Sequence, residues 1–188
     1  MEYYLISCCA PTLAGKKIAN LFTFKHAEGD RIHTKVNVWN ERLNPFGVFI
    51  KILRTSQSSS LILVYRMEKV KTILQDENIM NFLHSKGYES NNLQDVLKRI
   101  RFLLNKSSDF PHEIGLLLGY PLHDVIGFIK NNGRCSKLSG FWKVYGDHKE
   151  AGELFKEYNH CRNCFMNLYN QGMTALEIME KYNGGYVQ

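Results

Sequence analysis

Val48-Phe49-Ile50-Lys51-Ile52-Leu53 and Leu61-Ile62-Leu63-Val64-Tyr65-Arg66 are joined by the polar stretch 54–60, and their reading decides the fold. β-Branched and aromatic residues fill both runs, and a short Ser/Gln connection between them predicts a β-hairpin. The second run is continuously apolar, as expected of a strand placed centrally in its sheet. Upstream, residues 3–8 are too few for periodicity to separate a buried strand from the end of a helix. Pro11 is expected to break that element. Residues 15–24 read as a loop entering a helix. Residues 33–44 read as a helix with Val36, Trp39 and Leu43 on one stripe, stopped by Asn44-Pro45-Phe46-Gly47.

Downstream the chain is mostly helical. Short helices are predicted over 68–74 and 77–86, the second ended by Gly87. Asn92 is the expected N-cap of a helix whose Leu93, Val96, Leu97, Ile100, Leu103 and Leu104 repeat with a 3.6-residue period. Asp109 is the expected cap of another, with Pro111 at its first position. A helix over 122–130 follows Gly119-Tyr120-Pro121. Residues 140–146, aromatic and bounded by glycines, read as one strand. Asp147 caps a long helix to about Gln171, Thr174 caps a last short one, and a flexible tail starts at about 183. The order predicts an α+β fold: a small, mostly antiparallel sheet with helices packed on it, and a helix-rich C-terminal half.

A chain of 188 residues with 44% hydrophobic and 22% charged residues fits a single domain, 1–188, with a real core. No apolar run nears the roughly 18 residues of a membrane span, and residues 5–9 are too short for a leader. The expectation is a cytoplasmic protein that does not enter a membrane. Five cysteines, an odd number at irregular spacing, then read as free thiols, metal ligands or catalytic groups. A net charge of +6 favours a small-molecule or anionic ligand. The basic residues are scattered, so the charge by itself makes no case for a nucleic-acid patch.

Cys9-Ala10-Pro11-Thr12-Leu13-Ala14-Gly15-Lys16, and Phe110-Pro111-His112-Glu113-Ile114-Gly115 with Leu118-Gly119-Tyr120-Pro121, resemble an uncharacterised bacterial family found mainly in anaerobic Gram-positive bacteria. The resemblance spans nearly the whole chain. It implies a small cytoplasmic protein and carries over no activity, cofactor or catalytic residue. Family members often have His before the motif cysteine, where this chain has Cys8.

The leading expectation is thiol-dependent acyl or group transfer, or hydrolysis. Cys9 would be the nucleophile, activated by nearby lysines and by a helix opening at Pro11-Thr12. His112 would be the base and Glu113 its orienting group. Thr12, Gly15 and Lys16, with Arg66, carry the right parts for an anion site. Tyr120, Trp142, Lys143 and Tyr145 could line a pocket. The simpler alternatives are a buried thiol, a capped turn with surface lysines, and aromatic core packing. The cofactor is left unknown. A rival reading is a metal- or haem-responsive module using Cys161 and Cys164, one helical turn apart, completed by Cys135 and His112. A third is an interaction protein with a basic surface.

Overall fold

In the computed structural model, which describes residues 1–106 and 109–183, the chain begins with a helix, α1 (Glu2–Leu13). There follow β1 (Ala19–Lys25), α2 (Ile32–Leu43), a single 3-10 turn, and the hairpin β2 (Val48–Thr55) and β3 (Ser59–Arg66). Next come α3 (Met67–Ile73), α4 (Glu77–Ser85), α5 (Leu93–Lys106), α6 (Ile114–Leu117) and α7 (Leu122–Lys130). Two-residue strands β4 (Leu138–Ser139) and β5 (Lys143–Val144) precede α8 (His148–Asn170) and α9 (Ala175–Asn183). The expected α+β class, antiparallel sheet and helical second half are all present. The expected tail lies outside the described residues. Contacts gather into two compact units, Met1–Glu68 with Tyr158–Gln188, and Lys69–Glu157.

The first unit is built on an antiparallel sheet in the order β1-β3-β2, so the apolar run 61–66 is central, as its composition requires. Leu5, Cys9 and Leu13 of α1 recur every fourth residue and are fully buried. They share one core with Val36, Trp39 and Leu43 of α2, Ile50, Ile62 and Val64 of the sheet, Phe165 of α8 and Ile178 of α9. The edge strand β2 is protected by Asn40, whose amide nitrogen donates to the Ile50 carbonyl at 2.9 Å and whose oxygen accepts from the Ile50 N–H at 2.7 Å. Glu2 accepts from the Ala175 N–H at 2.8 Å and so joins the start of α1 to the start of α9.

Two expectations are corrected in this unit. Residues 3–8 are helical, and the helix runs on through Pro11 to Leu13. Pro11 falls in the last turn, where the turns above it are already packed and one lost hydrogen bond does not end the element. Residues 15–24 lead into a strand, not a helix. Leu21-Phe22-Thr23-Phe24 suits an extended chain, and the outer edge of β3 supplies its pairing, from Ala19 opposite Tyr65 to Lys25 opposite Ser59.

In the second unit, α5 buries the predicted stripe of Leu93, Val96, Leu97, Ile100 and Leu104, and the Asn92 side chain caps it through the Gln94 N–H at 2.8 Å. The helix expected from Asp109 is a turn at 112–113 followed by the single turn α6. The strand expected over 140–146 is a tight ladder instead, with Leu138 opposite Val144 and Ser139 opposite Lys143. Its organiser is Asp124 of α7, 2% exposed. One carboxyl oxygen accepts from the Trp142 indole N–H at 2.7 Å; the other accepts from the Tyr145 and Gly146 backbone N–H groups at 2.7 and 2.8 Å. Three donors thus converge on one buried side chain, which fixes the aromatic loop against α7.

Candidate functional site

The N-terminal motif is the end of a helix. Cys9 stands inside α1 with no exposed surface, and burial, the larger cause, together with Cys8 pushes its thiol well above the ordinary range despite the opposing charge of Lys17. A helix ends ahead of Cys9 rather than opening there, so the thiol faces none of the free N–H groups that would stabilise a thiolate. Gly15, at φ +75°, turns the chain out of α1. The last carbonyls are taken by cations and amides. Arg66 donates to the Thr12 and Leu13 carbonyls at 2.7 and 2.5 Å, and the Lys16 and Lys17 N–H groups both reach the Pro11 carbonyl at 2.9 Å. The Thr12 hydroxyl donates to the Asn20 side-chain oxygen at 2.6 Å.

The residues expected at an anion site, Thr12, Gly15, Lys16 and Arg66, stand at or beside the end of α1. A helix C-terminus carries the negative end of the macrodipole and recruits guanidinium, which is what Arg66 does there. Lys16 is exposed. Lys17, only 3% exposed, donates to the Ala19 carbonyl, and burial lowers its ammonium to about 7, partly opposed by Cys9.

His112 is exposed, its ring 4.8 Å from that of Phe128 and 5.6 Å from that of Phe110. Glu113 is 9% exposed and accepts from the Tyr88 hydroxyl at 2.8 Å. Cys9 belongs to the first unit and His112 to the second. Cys161 is sealed in the first unit's core, Cys164 lies 3.5 Å from the His160 ring, and Cys135 is exposed in the other unit. Among the described residues no group of three or more His, Cys, Asp or Glu side chains could hold a metal, so the ligand set of Cys161, Cys164, Cys135 and His112 is not assembled. Tyr120 stacks on Trp142 at 5.1 Å and donates to the Phe141 carbonyl, and Tyr145 donates to the Arg134 carbonyl. Trp142 is buried and Lys143 exposed. Of these four residues only Trp142 lines a cavity with Asp124, His123 and Asp147, and that cavity holds about 60 Å³. That is room for solvent, not for a metabolite.

A larger opening lies elsewhere in the second unit. A cleft of about 350 Å³ is lined by Gly87, Tyr88, Glu89, Ser90, Asp95, Val96 and Arg99. The C-terminal turn of α4 forms one wall. Gly87, at φ +79°, ends that helix, and Tyr88 N–H returns to the Leu83 carbonyl at 3.1 Å. Arg99 of α5 lies against this turn: a Cβ on Gly87 would stand 3.2 Å from a guanidinium nitrogen. The Arg99 Nε is buried and has no hydrogen-bond partner among the described residues. An orphaned buried donor of this kind costs about 1–3 kcal/mol. Behind it, Tyr88 is held far above its ordinary range, first by burial and then by Glu113, with Arg99 opposing. Tyr88 therefore stays a phenol, its proton committed to Glu113. No helix among the described residues is long and apolar enough to cross a membrane.

Helices on an antiparallel sheet define an α+β protein, and in its second unit Arg99 shares a cleft with Glu89 and Asp95. The chain belongs to DUF3793, a family of proteins of unknown function, whose family model matches residues 5–179. The resemblance read from the two motifs is thereby borne out at the level of the family. No curated protein and no solved structure matches the chain.

Proposed function

We propose that this protein is a binding module for a small anionic ligand, held by Arg99 in the cleft between the α4 turn and α5. The observation that carries the reading is Arg99 at the wall of a 350 Å³ cleft, its Nε buried and without a hydrogen-bond partner among the described residues. A phosphate or carboxylate oxygen in the cleft would accept from the terminal guanidinium nitrogens of Arg99, in a charge-assisted bond stronger than a neutral one. Glu113 and Tyr88 act as positioning residues: the buried acid holds the phenol, and the phenol ring stands beside Arg99. Ser90 and Glu89 at the rim offer acceptors to hydroxyl or amino groups on the same ligand.

Thiol chemistry is not part of this reading. A nucleophile must be reachable and ionisable, and Cys9 is sealed and held neutral. The test is calorimetric titration and thermal-shift measurement with inorganic phosphate, sulfate and small carboxylates. At least one should bind saturably. Arg99→Gln should weaken that binding by roughly ten- to a hundredfold, the equivalent of losing one or two charge-assisted bonds. An unchanged isotherm in Arg99→Gln, or no binding by any of them, overturns the proposal.

A further inference from the structure

We propose that the outward face of α5 binds single-stranded nucleic acid, Phe102 stacking a base while Lys98, Arg101 and Lys106 hold phosphates. This rests on the Arg99 reading above and deepens it by naming the anion as a phosphodiester. Phe102 is 49% exposed on a helix whose Leu93, Val96, Leu97, Ile100 and Leu104 are buried. It lies in a shallow depression of about 520 Å³ lined by Lys98, Arg101, Phe102, Asn105 and Lys106, three cations and no acid. These positions recur at three- and four-residue intervals and so share one helical face, about 12 Å long at 1.5 Å per residue.

Two further contacts shape the patch. The Lys106 ammonium lies over the Phe102 ring, 5.0 Å from its centre, and the Arg99 guanidinium over it at 5.6 Å, so a base that stacks there displaces a cation toward its phosphate. An aromatic face flanked by cations is the pairing that single-strand binding uses: the ring stacks any base, and the charges track the backbone. Lys98 is paired with Asp95, the acid on this helix, at 3.0 Å and would exchange that carboxylate for a phosphate. Arg99 belongs to both features, since it lines the cleft and approaches Phe102. A strand crossing α5 could place one phosphate in the cleft and the adjoining base on Phe102. An acidic peptide would satisfy the charges but brings no base to the half-exposed ring, which is why nucleic acid is preferred.

The experiment is fluorescence anisotropy with oligothymidylate and oligouridylate of about 20 nucleotides, ample for a single short site. The expected result is binding whose log K falls against log salt with a slope of about −2 to −3, as three or four neutralised phosphates give on a single strand. Phe102→Ala should weaken binding roughly tenfold, as expected for one stacked base, without moving the thermal midpoint. Lys98→Gln, Arg101→Gln and Lys106→Gln should each flatten the salt slope. Absence of binding at about 50 mM salt overturns the inference. So does equal affinity for heparin or polyglutamate with Phe102→Ala neutral. Arg99-dependent binding of inorganic phosphate without oligonucleotide binding overturns this inference alone and leaves the cleft reading standing.

Discussion

Asp124→Asn tests how the second unit is held together. In the native protein one carboxyl oxygen accepts from Trp142 at 2.7 Å, and the other accepts from the Tyr145 and Gly146 N–H groups at 2.7 and 2.8 Å. All of these groups are donors, and Asn offers one acceptor oxygen and one NH₂ donor. The better amide orientation keeps both backbone bonds and turns the NH₂ against the indole N–H. One good bond is lost, and two buried donors face each other without an acceptor. At about 1 kcal/mol for the bond and 1–3 kcal/mol for the unsatisfied group, the loss should be about 2–4 kcal/mol. Urea unfolding followed by far-UV circular dichroism measures it. Trp142→Phe removes the opposed N–H, so Asp124→Asn should cost at least about 1 kcal/mol less in that background. A loss below about 0.5 kcal/mol for Asp124→Asn, with no coupling to Trp142, would refute the assignment of this carboxyl as organiser of the loop.

Buried Lys17 should make stability rise with pH. Its folded value near 7 lies below the ordinary 10.5, so above pH 7 the unfolded chain binds more protons and folding gains. The raised Cys9 thiol works in the opposite sense once unfolded thiols ionise, which confines the gain to about pH 7–9 and about 2 kcal/mol. Lys17→Met should flatten urea midpoints across that window, and a flat wild-type profile would contradict the assignment. In alkylation of native protein, exposed Cys135 should react first, while Cys9 and Cys161 should react only after denaturant is added. Labelling of Cys9 as fast as Cys135 would show that the core is not sealed.

Legibility in the sequence followed the length of each pattern. The hairpin and the α5 stripe repeat one period over many residues, and local chemistry alone specifies them. Thr174 and Asp147 were readable as caps because a cap acts within three residues. Thr174 pairs with Glu177 at 2.8 Å, and Asp147 accepts from the Lys149 N–H at 2.8 Å. By contrast, α1 looks ambiguous because Pro11 stands in it, and only tertiary packing keeps that turn helical. β1 was hidden because its partner strand lies 34 or more residues away.

The candidate site was the least legible part. Cys9 and His112 drew attention by residue type, whereas the fold uses them as core and surface. Arg99 and Tyr88 carry no motif. The available signal was that Arg99 borders the apolar stripe, next to Ile100 and three residues beyond Val96, where a guanidinium is drawn partly inward. Glu113 is expected to orient His112, whereas its side chain accepts from Tyr88 of another loop, a pairing that sequence spacing does not encode. Asp124 offered a similar hint, an acid beside Val125 in an apolar helix, with a Trp nearby that needs an acceptor.

The central claim is that Arg99 anchors an anion, and titration calorimetry of wild-type protein and Arg99→Gln with phosphate, sulfate and small carboxylates tests it most directly. The account predicts one saturable site for at least one of these anions in the wild type, weakened at least roughly tenfold in the variant while its thermal midpoint without ligand is kept. Identical isotherms for the two proteins, or no binding by any of these anions, would contradict it.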